Sequence, residues 1–328
     1  MSETKVAGSG VFVPARRIPA PPTVSPQAQA LLANPPAFGP PAPDPNDRDA
    51  WRSYIAAGAA WLESQMAESA KPYPAEIVTH TLDGVPLYEV VPATLSPGYE
   101  SCAIFYVHGG AYIHGAGLAG AYMSQPLAGL AGMRAFCVDY RMPPDHPYPA
   151  GLEDTVDAYR WVLERYEARN IVVAGGSAGG GLAAALVLKA RDIGLAMPGA
   201  CILATPEADL TESGDSFETN DTVDVVGGHR LTDSIALYAN GHNLRDPYLS
   251  PIFGDFSKGF PPTILTTGTR DLFLSNTVIM HRALLRAGME AELHVWEAMP
   301  HGGFFGAPED KEILAEQVRF IRKRLGGG

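Results

Sequence analysis

The sequence predicts an α/β fold: a mainly parallel, eight-stranded sheet with helices on both faces and a helical cap. Three observations carry that reading. From about residue 75 onward, short β-branched runs alternate with longer amphipathic ones, the pattern of successive strand–helix units. Several short runs, such as AIFYV and NIVVAG, are apolar without interruption, as strands buried on both faces must be. The chain has 328 residues, 46% hydrophobic and 18% charged. That is enough for one large α/β domain with an appended lid, or for two small domains.

Taken in order, residues 14–47 are rich in proline and alanine, which neither a long helix nor a central strand tolerates. This segment reads as an extended arm over the surface, with a floppy leader as the alternative. Trp51, Tyr54, Ile55, Gly58, Trp61, Leu62 and Met66 recur mostly at three and four residues, the spacing of a helix face, and Asp47 or Asp49 can cap its start. Strands follow at 75–82, 85–91, 101–107, 134–140, 169–174, 199–205, 262–267 and 291–298, with helices near 119–132, 152–168, 178–193, 274–288 and 309–325. The alternation breaks before residue 75 and again at about 206–245, an insertion acidic at its start. Interruptions of this length commonly build a lid. The expected organisation is an N-terminal arm and cap segment over 1–74, then a catalytic domain over 75–328 with a cap insertion at about 206–245.

Lys and Arg number 24 against 36 Asp and Glu, a formal charge of -12. Such a surface repels phosphate backbones and anionic lipid, which argues against nucleic-acid and membrane partners. The odd set of Cys102, Cys137 and Cys201, each in or beside an apolar run, reads as reduced and buried. No CxxC or His-rich spacing points to a metal. The opening MSETKVAGSGVFVPARR has no signal-peptide stretch, and no segment approaches ~18 consecutive apolar residues, so a cytoplasmic protein is expected.

The strongest chemical signal is Ile171-Val172-Val173-Ala174-Gly175-Gly176-Ser177-Ala178-Gly179-Gly180-Gly181, followed by LAAALVLKA. A buried strand runs into a helix with a serine at the turn and glycines on either side, where larger side chains would collide with backbone. Such a turn holds the serine strained, with Oγ above the sheet and a helix N-terminus beside it to receive an oxyanion. The loop lacks the Lys of a phosphate loop and is not a well-formed GxGxxG. About seventy residues earlier stands Phe105-Tyr106-Val107-His108-Gly109-Gly110-Ala111-Tyr112. Its paired glycines let backbone N–H groups approach a ligand closely. With Ala178, the N–H groups of Gly109 and Gly110 can form a three-donor oxyanion hole.

At these residues the sequence resembles the bacterial hormone-sensitive-lipase family of α/β-hydrolase carboxylesterases. HGGAY is similar to the family's HGGG-type element and GGSAGG to its GDSAGG. Asp139 to Ala150 (DYRMPPDHPYPA) and Leu152-Glu153-Asp154 match two further segments in the correct order. The resemblance begins near residue 75. Two departures stand out: Gly176 replaces the Asp usual before the nucleophile, and Ala111 ends the HGGG-type run. Neither removes a backbone donor. The resemblance implies the α/β-hydrolase fold, and it assigns His108 and His146 structural roles.

In this fold the acid and the histidine follow the serine in that order. Asp271 stands just beyond the strand PTILTT, and His301 lies in the loop before the last helix, in a sequence similar to the family's HGF. Asp246, in DPYLSP before that strand, is the competing acid. Ser177 as nucleophile, His301 as base and Asp271 as its orienting acid give an acyl-enzyme route that requires no cofactor and no metal. The expected substrates are small-molecule esters, short-chain or small aryl. Lactones and amides remain open because they use the same triad, and so does a non-catalytic ligand-binding relative. Trp51, Tyr54, Trp61, Phe217, Val223, Val225, Val226, Leu231 and Tyr238 are the apolar residues of the lid segments, equally readable as ordinary packing. Look-alikes commonly pair through the last strand, so a homodimer is an expectation of the resemblance.

Overall fold

A computed structural model describes residues 10–36 and 39–326. Its centre is one eight-stranded sheet in the order β1-β2-β4-β3-β5-β6-β7-β8. The strands are β1 (Ala75–Leu82), β2 (Val85–Pro92), β3 (Ala103–Val107), β4 (Arg134–Val138), β5 (Ile171–Gly176), β6 (Ala200–Ala204), β7 (Thr263–Gly268) and β8 (Ala291–Trp296). β2 pairs antiparallel with both β1 and β4, and all remaining neighbours are parallel. Each of the eight expected strands is present. The fifth is displaced, because Ala168–Asn170 forms a 3₁₀ turn and the strand continues to Gly176, paired in register with Ala204.

Alternation along the strands builds two cores. Phe105, Val107, Val173, Leu203 and Leu265 face one side, whereas Ile104, Val172, Ala174, Ile202 and Ile264 face the other, the period-two division of a strand buried on both faces. The first side is covered by α4 (Ala150–Leu163), α5 (Ala178–Asp192) and α8 (Leu274–Arg286), through Leu152, Val156, Leu182, Leu186, Met280 and Leu284. The second is covered by α3 (Leu118–Ala131) and α9 (Pro308–Leu325), through Leu127, Ala128, Val318, Phe320 and Ile321.

Among its described residues the proline-rich arm contains one short helix, α1 (Pro26–Ala33), capped by Ser25. Val24 and Ala28 pack on Ala298, Met299, Phe304 and Ala307, and Ser25 Oγ donates to Glu309 at 2.8 Å. The arm therefore lies on the loop that carries His301. Next, α2 (Arg48–Ala70) starts at Asp47, whose side chain accepts from Ala50 N at 3.0 Å, which settles the choice of cap. Between β6 and β7 the insertion holds two short helices, α6 (Ser216–Thr219) and α7 (Thr232–Ala239), joined by turns. Trp51 is fully buried against Ile113 and Leu237, so α2, the glycine loop after β3 and α7 meet at one point. Of the apolar residues in these segments, Phe217 packs against Leu272 and Phe273, while Trp61 is 66% exposed. Among the described residues no helix is long and apolar enough to cross a membrane.

Candidate active site

The turn after β5 depends on glycine for space. A Cβ on Gly175 would lie 2.3 Å from the Gly179 carbonyl oxygen, and one on Gly179 would lie 2.2 Å from that of Val107. Neither distance is tolerable, so the two glycines let strand, turn and helix close on one another. Gly176 differs: a Cβ there meets nothing nearer than Ala204 O at 3.7 Å. Its small size is not demanded by packing.

Ser177 has φ 57° and ψ -131°, a conformation that costs an L-residue roughly 1–3 kcal/mol. The surrounding backbone holds it there: Ser177 N donates to Ala204 O at 2.9 Å, and Ser177 O accepts from Gly180 N at 2.9 Å and Glu207 N at 3.0 Å. Ser177 occupies the N-cap of α5 without capping it. A serine there ordinarily turns its oxygen to the first-turn N–H groups. Here Oγ lies 2.8 Å from His301 Nε2.

The far side of that ring is fixed as well. His301 Nδ1 lies 3.1 Å from Asp271 Oδ1 and 3.0 Å from Thr205 Oγ1. The Thr205 hydroxyl donates to Asp271 Oδ2, which leaves its oxygen free to accept from Nδ1–H. Thr267 Oγ1 donates to Asp271 Oδ2 at 2.6 Å, and Phe273 N donates to Oδ1 at 2.9 Å. Burial opposes ionisation of Asp271, yet the hydrogen bond and charge of His301 and the two threonine hydroxyls hold its pKa below the usual carboxylate value. Burial likewise opposes a charged His301. The Asp271 hydrogen bond and charge, with the charge of Asp224 added, hold its pKa above the ordinary histidine value.

Gly109 lies against the serine, since a Cβ on it would fall 2.7 Å from Gly176 O and 3.2 Å from Ser177 Cβ. Gly110 follows at φ 125°, and Ala178 is the first residue of α5. The histidine of this loop faces away: His108 is fully buried, stacked on Tyr140 at 4.2 Å, with Nδ1 2.9 Å from Gly109 O. The competing acid, Asp246, closes a local turn by accepting from Tyr248 N at 2.9 Å. The DYR and LED segments meet in an Arg141–Asp154 ion pair of 2.7 Å.

Ser177, His301, Asp271 and Gly109, read from four separate stretches of chain, thus come together at the C-terminal ends of parallel strands. Sequence reading missed Thr205, Thr267 and Asp224. The buried Asp224 carboxylate accepts from Leu272 N at 2.8 Å and lies 3.2 Å from His301 N. Nothing in the sequence separates Asp224 from the other acids of its insertion.

Comparison with known proteins bears on the fold and the family. A family model described as the α/β hydrolase fold matches residues 104–305. An acetyl-hydrolase of Streptomyces hygroscopicus is 32% identical over 69% of this chain and 77% of its own. Among solved structures, the esterase E25 superposes with a TM-score of 0.91 at 34% identity, over 97% of this chain and 100% of its own. An esterase from the bacterial hormone-sensitive lipase family superposes at 0.76 with 30% identity, over 92% of this chain and 99% of its own. On these matches the chain belongs to the α/β-hydrolase-fold family, in its bacterial hormone-sensitive-lipase branch of carboxylesterases.

Proposed function

We propose that this esterase cleaves small carboxylic esters through an acyl-enzyme on Ser177, with His301 as base and Asp271 as its orienting acid. The observation that carries the reading is the continuous path from Ser177 Oγ to His301 Nε2 (2.8 Å) and from Nδ1 to Asp271 (3.1 Å). His301 takes the hydroxyl proton as Oγ attacks the ester carbonyl, and Asp271 stabilises the imidazolium. The N–H groups of Gly109, Gly110 and Ala178 receive the oxyanion, each worth roughly 2.7–4 kcal/mol in the transition state. His301 returns its proton to the departing alcohol. Water, deprotonated by the same ring, then releases the acid and restores Ser177.

Of the arm and cap segment over 1–74, residues 1–9 and 37–38 lie outside the described residues; the rest, with the insertion at 206–245, serves in this reading as the cap over the catalytic domain. The junction of α2 and α7 at Trp51 and the seat of α1 beside the His301 loop support that role. A preference for short acyl groups is supported by the similar Streptomyces protein, named an acetyl-hydrolase. A cytoplasmic location fits three buried, unpaired cysteines, and pairing of two copies through β8 fits its place at the sheet edge. The test is hydrolysis of p-nitrophenyl esters of rising acyl length by the native enzyme and by Ser177→Ala. A folded Ser177→Ala protein is expected to lose roughly 10⁶-fold in kcat. Near-native turnover by that variant would refute the reading.

A further inference from the structure

We propose that Asp224, on the insertion between β6 and β7, is a positioning residue for ester hydrolysis. In this role its buried carboxylate ties the acid loop and the histidine loop together and sets a second negative charge beside the imidazolium. This inference rests on the roles proposed for Ser177, His301 and Asp271.

The residue is built into a closed turn. Asp224 N donates to Asn220 O at 2.9 Å, and Gly228 N donates back to Asp224 O at 3.1 Å. Its Oδ1 accepts from Val226 N at 2.9 Å and Gly227 N at 2.8 Å, so the carboxylate direction is set by its own turn. From there it reaches two other loops. Oδ2 accepts from Leu272 N, adjacent to Asp271, at 2.8 Å, and both oxygens lie 3.2 Å from His301 N. One rigid group thus holds the backbone at both ends of the 3.1 Å contact between His301 and Asp271. The packing is close: a Cβ on Gly227 would lie 2.8 Å from Asp224 Oδ2 and 3.2 Å from His301 Cβ. The same insertion adds two further ties to the acid loop, Asn220 Nδ2 to Asp271 O at 2.8 Å and Ser216 Oγ to Leu272 O at 2.6 Å.

Ligating atoms of Asp224, Asp271 and His301 fall within 4.8 Å of one another, a spacing that suits a cation. The Asp224 oxygens, however, are already taken by four backbone N–H groups, and His301 Nε2 faces Ser177. The cluster serves the histidine instead. The charged groups facing the His301 ring are Asp271, from the loop after β7, and Asp224, from the insertion. The hydroxyls of Ser177 and Thr205 complete its polar surroundings. Asp224 is fully buried and balanced by N–H dipoles, so its charge is felt by the ring through little solvent. An insertion can in this way act on the chemistry without touching the substrate.

The test is the pH dependence of kcat and KM for p-nitrophenyl butyrate in native, Asp224→Asn and Asp224→Glu enzymes. Melting temperature and Ser177 titration with a serine-directed phosphonate count the folded, competent molecules. Asn keeps an acceptor for the turn and removes the charge. We expect its acid limb to move to lower pH by roughly one unit and its plateau kcat per titrated site to fall roughly 10- to 100-fold, with KM little changed. Glu restores the charge and should return the limb to its native position while kcat stays reduced. A merely structural role would lower the titrated fraction and leave the limb in place, which overturns the proposal, as does native behaviour of Asp224→Asn. Should the Asn variant fail to fold, Glu decides alone: a native limb with reduced kcat supports the proposal, and native kcat overturns it. Loss of phosphonate labelling in the native enzyme would instead indict the assignment of Ser177.

Discussion

Replacing Asp271 by Asn tests the acid through its charge with little change of shape. The carboxylate is fully buried and receives His301 Nδ1, Phe273 N and the hydroxyls of Thr205 and Thr267. Both threonine hydroxyls can turn to accept from the new amide, so the variant should fold. What it loses is the negative charge 3.1 Å from the ring. At an effective dielectric of about 20, a charge pair at that distance is worth about 5 kcal/mol. At about 1.36 kcal/mol per decade, kcat/KM should fall nearly 10⁴-fold. With the amide nitrogen on the threonine side, the remaining oxygen keeps the Nδ1 and Phe273 N bonds, so the loss reads the charge. The assay is p-nitrophenyl butyrate hydrolysis across pH. In the proposed mechanism the neutral ring is the base, so native activity should be complete above the His301 pKa and be lost as pH falls through it. Because that pKa is raised, the native acid limb should lie above the ordinary histidine value of about 6.5, and the residual limb of Asp271→Asn below the native one. A folded variant retaining more than about a tenth of native kcat/KM would refute the reasoning. Asp246→Asn is the control, expected within about threefold of native because its carboxylate serves a turn at Tyr248 and the Tyr148 hydroxyl, with no bond to His301.

Two predictions concern the scaffold. Gly176→Ala should fold and hydrolyse esters like the native enzyme, within about 1 kcal/mol of its stability, since the added methyl meets only ordinary contacts. Gly175→Ala, 2.3 Å from backbone, should destabilise by roughly 1–3 kcal/mol or more and lower kcat; equal denaturation midpoints for the two variants would contradict the close-approach argument. Trp51→Ala removes the ring at the α2–α7 junction together with its Nε1 bond to Asp44 O at 3.0 Å. It should cost roughly 3–5 kcal/mol in urea unfolding, and a loss under about 1 kcal/mol would show that the junction is not a core.

The strands and the serine turn were legible because each rests on local rules. An uninterrupted apolar run such as Ile171 to Ala174 has few places to go but a covered sheet, and the flanking glycines of Ser177 announce a turn too tight for side chains. His301 and Asp271 were legible through chain order and their places at strand ends. The arm shows the limit of composition: proline density excludes a long helix, but the seat of Val24 and Ala28 on Phe304 depends on a surface assembled from the other end of the chain.

Asp224, Thr205 and Thr267 mark what only the tertiary structure decides. Each is an ordinary residue in an ordinary stretch; Thr205 and Asp224 acquire their meaning from partners tens of residues away, and Thr267 from an aspartate that the turn after β7 folds back onto it. Thr205 bridges Asp271 and His301 because β6 and β7 run side by side. Asp224 reaches Leu272 and His301 because the insertion folds back over two loops. The sequence determines the sheet and the turn and points to the proposed reacting groups, since those follow from short-range sterics, periodicity and chain order. The distances and charges that tune those groups come from long-range packing, which no local pattern encodes.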